Sequence, residues 1–463
     1  EQLDEVESYW ELECKLGVEL FDQLRTYLDS VDLQISSWHG PGAIANKVYK
    51  ANKIDDAKND TLPIVRDAAR YAYAGGRFEL FRMGRHLDVF SADLNSAYPA
   101  AIARLPDLTE GYWRRVIAPK EIQEFGVYQV RMKHLGERLR PGPVFHRDGR
   151  QNISFPWQTD GWYWSPEVYG LLATGMAEIT EGWEYVDWQS RPFGCVRDMF
   201  NQRKQMKLNK IGSEKALKLA LNSLYGKMAQ RVGWERNGNA PTWHQLSWAG
   251  YVTSSTRAQL YSVLSRIPRE HLIGVETDGI YTTLDPSTIG LENSGELGQW
   301  EIKTIDELLY IQSGVYYYRK GNEWTGKYRG LDPGTITEQS SASYLQSLQP
   351  NSDWEPISGT TTRFIGYKAA LMRGDDDKTP PLHWHRQWVT TGKEIRTGQV
   401  GKRIHIPKHC HACQAGATAW EMPHDLSINT TAIIQPMSTP HDIPWEELNP
   451  AHWRAMEREL ITL

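Results

Sequence analysis

Three acidic residues in two short stretches have the types and spacing for phosphoryl chemistry. Asp93 ends the apolar run Leu87-Asp88-Val89-Phe90, which predicts a short buried strand, and Leu94-Asn95-Ser96-Ala97-Tyr98-Pro99 follows it. A carboxylate where a buried strand ends is costly unless a cation, often a metal, pairs with it. The second stretch is Glu276-Thr277-Asp278-Gly279, whose Asp-Gly pair between apolar flanks predicts a hairpin turn. Two carboxylates from separate strands can hold two Mg²⁺ ions, which stabilise the attacking and leaving oxygens of an in-line phosphoryl displacement. Plainer explanations stand beside this one: Asp93 as the cap of a helix near Asn95, and an ordinary Asp-Gly turn with a neighbouring glutamate.

Between the two stretches lies a predicted helical hairpin over residues 193–230. Its first helix puts Arg203 and Lys207 on one face. Its second puts Lys218, Asn222 and Tyr225 at i, i+4 and i+7, again on one face. Cations for phosphates and a ring for a base suit a nucleoside triphosphate; a solvated charged face is the alternative. Ser213 and Glu214 stand where an N-cap and a dipole-matched acid belong.

The remaining elements must position these groups. Residues 8–29 predict an amphipathic helix with Leu12, Leu16, Leu20, Phe21, Leu24 and Leu28 on one stripe. Residues 43–60 are polar and helical at most. Tyr73-Ala74-Gly75-Gly76-Arg77 suits close approach to a nucleic-acid strand or, equally, a glycine turn between helix and strand. Residues 165–174 predict a helix with Ser165 as N-cap and Pro166 first. Residues 246–266 predict another helix, with Thr253, Thr256 and Arg257. Tyr316 to Lys320 and Lys327-Tyr328-Arg329-Gly330 interleave aromatics with bases, for a nucleic-acid strand or a sheet. His405, His409, Cys410 and Cys413 have types and spacing that admit zinc; a loop with free thiols fits as well.

The 463 residues suffice for two or three domains or one multi-lobed enzyme, and their net charge of −5 excludes a uniformly basic nucleic-acid binder but not a local basic groove. Four cysteines predict a reducing, cytoplasmic compartment, and no apolar run predicts a membrane span. Most of the nineteen tryptophans are expected in the core. A start at Glu1 without Met is what a trimmed piece of a longer protein would show.

Taken together these motifs resemble those of family B DNA polymerases, over about residues 9 to 335. Asp93 to Pro99 resembles motif A, Asp-x-x-Ser-Leu-Tyr-Pro. Lys218 to Gly226 resembles motif B, Lys-x-x-x-Asn-Ser-x-Tyr-Gly. Glu276 to Gly279 resembles motif C, Asp-Thr-Asp-Ser, and Tyr73 to Gly76 resembles the Tyr-x-Gly-Gly element. Short virus and plasmid members of the protein-primed type look most similar. The resemblance implies an α+β right hand: palm with antiparallel sheet, helical-hairpin fingers, and thumb. Its expected parts are 1–86, a remnant or linker after an exonuclease region, carrying the Tyr-x-Gly-Gly element; 87–110, palm; 111–192, a palm insertion; 193–232, fingers; 233–312, palm; and 313–463, thumb and C-terminal region.

By resemblance, Asp93, Glu276 and Asp278 are catalytic, and Asp93, Asp278 and the Leu94 carbonyl hold two Mg²⁺ ions, with Mn²⁺ as an alternative. Ser96, Arg203, Lys207 and Lys218 hold the triphosphate of a deoxynucleotide. Tyr98 packs under the sugar and excludes a 2′-hydroxyl, and Asn222 and Tyr225 border the base pair. Tyr73, Gly75 and Gly76 track the template; Tyr316, Lys327 and Arg329 meet the primer. Lys393, Arg396, Lys402, Arg403 and Lys408 form a basic stripe suited to duplex contact. The implied partners are primer-template DNA, dNTPs and a terminal or accessory replication protein, in a bacterial, phage or plasmid setting.

Four departures stand out. Glu276 replaces an Asp, Gly314 replaces the Lys of a Lys-x-Tyr element, the segment between motifs B and C is short, and exonuclease carboxylates are missing apart from a faint match at Tyr9 and Glu13. The expectation is an active polymerase with reduced strand displacement and no 3′–5′ proofreading in this chain. The alternatives are a catalytically inactive nucleic-acid binder, and a polymerase that starts from a protein hydroxyl or without a primer.

Overall fold

The computed structural model describes residues 2–347 apart from 37, 39, 57–61, 133–141, 148–152, 156–158, 174, 176, 231–239, 313, 330, 333 and 335, and beyond them 357–364, 388–395, 399–400, 403–404 and 424–425. In chain order α1 (Gln2–Asp29), α2 (Gly42–Ala51) and α3 (Pro63–Tyr71) precede β1 (Arg77–Leu80), β2 (Arg82–Leu94) and α4 (Ala97–Ile102). Next come β3 (Tyr112–Ile117), β4 (Gly126–Met132), β5 (His146–Arg147), β6 (Ile153–Ser154), β7 (Asp160–Trp164), α5 (Ser165–Ala173) and β8 (Ala177–Val186). The hairpin α6 (Cys195–Leu208) and α7 (Glu214–Met228) leads to α8 (Leu246–Leu264). After it follow β9 (Leu272–Thr277), β10 (Gly279–Thr282), β11 (Trp300–Gln312), β12 (Val315–Lys320), β13 (Glu323–Tyr328) and α9 (Glu338–Ser347).

The main sheet has the order β1-β9-β10-β2-β11-β12-β13 and is antiparallel at every one of these pairings. It runs on through β12 and β13, past residue 312. Its back is covered by α8: Leu260, Val263 and Leu264 pack with Ala92, Val275 and Ile280. Each of the buried Leu, Val and Ile side chains contributes about 1.5–3 kcal/mol. Because strand side chains alternate, Ser91, Asp93 and Glu276 face the opposite side, away from α8. A second sheet, β3-β8-β4-β7, carries α5. Its core is aromatic, with Trp113, Trp164, Phe125 and Tyr251 clustered and Phe125 4.9 Å from Tyr251. Trp162, Trp183, Trp243 and Trp248 are also buried.

Several local expectations are corrected. The strand that carries Asp93 has thirteen residues and continues to Leu94, and Leu87 and Asp88 are exposed, because Asp88 takes φ 52 and breaks the alternation. The α1 stripe is uncovered: Leu12, Leu16, Leu20 and Phe21 are about half exposed or more, while Leu28 is buried. Helix α2 is core, with Ile44, Ala45, Val48 and Tyr49 buried. Ser213 does not cap α7; its backbone is already helical and its side chain makes no cap bond. Ser165 donates its hydroxyl to the Gly126 carbonyl, tying α5 to β4. No helix among the described residues is long and apolar enough to cross a membrane.

Candidate active site

Asp93 lies in β2 opposite Gly279 of β10 on one side and Glu301 of β11 on the other. The glycine is what makes room: a Cβ there would lie 2.2 Å from Asp93 Oδ1. Asp278 occupies the tight turn between β9 and β10. Thr277 before it takes φ 56, a left-handed conformation costing a β-branched residue about 1–3 kcal/mol. Two contacts hold that turn. The Leu94 N–H donates to the Asp278 carbonyl at 2.8 Å, and Gly76 packs so closely that a Cβ would stand 2.9 Å from Thr277 Cγ2. The turn residues are therefore Thr277 and Asp278, and Gly279 already belongs to the strand.

The two aspartates crowd each other. Burial raises the Asp93 carboxyl, partly offset by the Ser91 hydroxyl that donates to Oδ2 at 3.0 Å. Burial and then the Asp93 charge push Asp278 up to about 6. Such a pair is short of positive charge, and its oxygen-only donors suit a hard divalent cation that takes its other ligands from water, carbonyls and substrate phosphates. Among the described residues no third His, Cys, Asp or Glu joins them in a group that could hold a metal. Glu276 lines the same cleft, but its Oε1 accepts from the Tyr310 hydroxyl and the Gly314 N–H, both at 2.6 Å. That oxygen is thereby tied to the end of β11 and to the β11–β12 turn.

An aromatic bridge joins the aspartates to the helical hairpin. The Tyr98 ring lies 4.7 Å from that of Tyr225, and the Tyr225 hydroxyl is 2.7 Å from the Tyr73 hydroxyl. One contact chain therefore links Asp93's segment, α7 and the Tyr73–Gly76 loop. Burial pushes the Tyr98 phenol up to about 12, so it is neutral and a hydrogen-bond donor at physiological pH. Along α7, Asn222 and Lys218 are exposed beyond Tyr225. Lys218 stands two turns away, about 10 Å along the axis. Arg203 is instead bonded to Glu214 across the hairpin at 2.9 Å, so it clamps α6 to α7. Lys207 is exposed. Ser96 takes φ 53 at the start of α4, which removes helix capping by Asp93 as an explanation of the motif.

The Tyr73–Gly76 loop has an anchor that sequence reasoning missed. Arg257 of α8 is fully buried and forks onto Glu167, Nε to Oε1 at 2.8 Å and Nη2 to Oε2 at 2.7 Å. Its Nη1 donates to the Ala74 and Gly75 carbonyls at 2.6 and 2.8 Å. A lone arginine among Thr253, Ser254 and Thr256 in an apolar helix was the available signal, since a buried guanidinium requires partners.

The cleft holding both aspartates has a volume of about 660 Å³, and Lys303, Lys320, Lys327 and Arg329 lie along its wall. Tyr316 lines the same cleft but is largely a core ring. It is 3% exposed, stacked on Tyr310 at 4.9 Å and bonded to the Tyr281 hydroxyl at 2.8 Å, because β12 is an interior strand. Residues 405, 409, 410 and 413, and the side chains of the 393–408 basic stripe, lie outside the described residues. Cys14 and Cys195 are free thiols.

A family model for DNA polymerase type B, organellar and viral, matches residues 3–235. The DNA polymerase of Acidianus bottle-shaped virus (isolate Italy/Pozzuoli) is 23% identical over 282 residues, covering 56% of this chain and 40% of that protein. The chain thus spans less than half the length of this viral relative. The Phi29 DNA polymerase complexed with primer-template DNA and incoming nucleotide substrates has a similar fold, with TM-score 0.56 and 16% identity over 80% of this chain and 69% of that one. The same polymerase complexed with single-stranded DNA gives TM-score 0.50 and 18% identity over 73% and 65%.

Proposed function

The chain belongs to the type B DNA polymerases, organellar and viral, and from that premise we propose that it adds deoxynucleotides to a primer on a DNA template. The observation that carries the proposal is the placement of Asp93 and Asp278 on adjoining β-elements, where burial and the Asp93 charge raise the Asp278 carboxyl, with the Tyr98–Tyr225 contact joining them to the cationic helix α7. Asp93 and Asp278 hold the divalent cations, with the Leu94 carbonyl beside them. Those ions, Mg²⁺ or Mn²⁺, supply neutralisation of the charge that develops on the attacking and leaving oxygens.

The chain's own residues do the rest. Lys218 and Lys207 attract the triphosphate, and Ser96 orients it near Asp93. Tyr98, fixed by Tyr225, fills the space a ribose 2′-hydroxyl would need. Asn222 and Tyr225 border the nascent base pair. The Tyr73–Gly76 loop, pinned by Arg257, guides the template, and Lys327 and Arg329 face the primer backbone. These 463 residues act without 3′–5′ proofreading, so a mismatched primer end should persist on incubation.

Primer extension tests this directly. Wild-type protein with Mg²⁺ should add the template-complementary dNTP and discriminate against the matching ribonucleotide. Tyr98→Val should keep dNTP addition and lower that discrimination by roughly 10²-fold, since it removes a steric exclusion. No template-directed addition with either Mg²⁺ or Mn²⁺ would sink the proposal.

A further inference from the structure

Glu276 stands where the motif it resembles carries a shorter acid, and one of its two carboxylate oxygens is engaged away from the aspartates. Oε1 accepts from the Tyr310 hydroxyl and from the Gly314 N–H, each at 2.6 Å. Tyr310 is completely buried, and its hydroxyl passes over Gly274, where a Cβ would lie 3.2 Å away. Gly314 takes φ +80, and a Cβ there would meet Arg329 Cβ at 2.6 Å. Its carbonyl in turn accepts from the Arg329 N–H at 2.8 Å. The Arg329 guanidinium lies 4.4 Å over the Phe78 ring, and Phe78 is the cross-strand partner of Glu276. The contacts close a ring: Glu276, Gly314, Arg329, Phe78 and back to Glu276.

We infer that Glu276 is a positioning residue that fixes the β11–β12 turn and, through Gly314, the Arg329 end of the cleft wall, and that it is not one of the metal-holding carboxylates. This rests on the polymerase reading, in which that wall receives the primer strand. It explains why two unusual residues occur together. An aspartate at 276 is about 1.5 Å shorter and cannot reach both donors, while any side chain at 314 would collide with Arg329. The glutamate and the glycine form one device.

The test compares Glu276→Gln, Glu276→Asp and Tyr310→Phe. Glutamine keeps an oxygen acceptor at full reach. It should leave kcat, the Mg²⁺ half-saturation and the KM for primer-template within about threefold of wild type. Aspartate restores the commoner motif yet loses the reach. It should raise the KM for primer-template about tenfold, with kcat at saturating DNA and the Mg²⁺ half-saturation unchanged. Tyr310→Phe should move KM the same way by a smaller factor. A metal-holding role demands the reverse order: aspartate active, and glutamine shifted about tenfold or more in Mg²⁺ half-saturation. That order, or equal behaviour of Gln and Asp variants, overturns the inference.

Two readouts stand apart from incorporation. The Mg²⁺-induced rise in melting temperature should be the same in wild type and both Glu276 variants. Of the two Glu276 variants, only Glu276→Asp should lose primer-template affinity by fluorescence anisotropy, by about tenfold. If wild type adds no nucleotide, the polymerase reading fails, and these two measurements still decide the role of Glu276.

Discussion

Asp278→Asn should all but abolish nucleotide addition while making the metal-free protein more stable. The two effects share one cause. Folding raises the Asp278 carboxyl from 3.8 to about 6 through burial and the Asp93 charge. An acid with a raised folded pKa binds its proton more tightly in the folded state. Its favourable contribution is complete below the unfolded pKa and is lost as pH rises from about 4 to about 6. Above that window the ionised pair costs the metal-free protein about 1–3 kcal/mol, allowing for the partial exposure of Asp278. Asparagine removes that cost, so the variant should melt several degrees higher at pH 7.5 in EDTA. Wild type should be the more stabilised by added Mg²⁺, because only it gains a ligand bound to the folded state. Nucleotide addition should fall by roughly three orders of magnitude, the equivalent of several kcal/mol of lost transition-state stabilisation. A destabilised Asp278→Asn protein without EDTA-dependent differences would contradict this account of the site's electrostatics.

Arg257→Ala should be the most destabilising single substitution around the site. It leaves Glu167, 3% exposed, as a buried charge without its partner, at about 3–5 kcal/mol. It also strands the Ala74 and Gly75 carbonyls. The double variant Arg257→Met with Glu167→Leu should recover much of the stability, because similar apolar volume replaces both charges. It should not recover the anchor of the Tyr73–Gly76 loop, so template-dependent extension should stay low. Denaturant midpoints and extension rates on the same samples separate the two effects. Equal recovery of both would mean that the loop needs no anchor from α8.

What could be seen in the sequence was the chemistry carried at short, regular spacing. Lys218 to Tyr225 keep their groups on one helix, whose period fixes the face, while Asp93 to Pro99 and Glu276 to Gly279 each keep theirs within a few residues of one strand end. What could not be seen depended on partners far along the chain. Arg257 and Glu167 are ninety positions apart, and Tyr310 reaches Glu276 across thirty-four. Periodicity found the α1 stripe but not whether anything covers it, since a hydrophobic face does not name its neighbour. In α2 the reverse occurred: Asn46, Lys47 and Lys50 hid four buried residues at helical spacing. The burial of Tyr316 could not be read from its basic neighbours, Arg319 and Lys320, because they lie toward the exposed end of a strand whose first half is core.

The central claim is that Asp93 and Asp278 together hold the cations for nucleotidyl transfer. Single-nucleotide addition to a primed template, followed across an Mg²⁺ titration for wild type and Asp93→Asn, tests it most directly. The account predicts Mg²⁺-dependent addition by wild type and a loss of roughly 10³-fold or more in the variant that saturating Mg²⁺ does not restore. Addition by Asp93→Asn at the wild-type rate and the same Mg²⁺ dependence would contradict it.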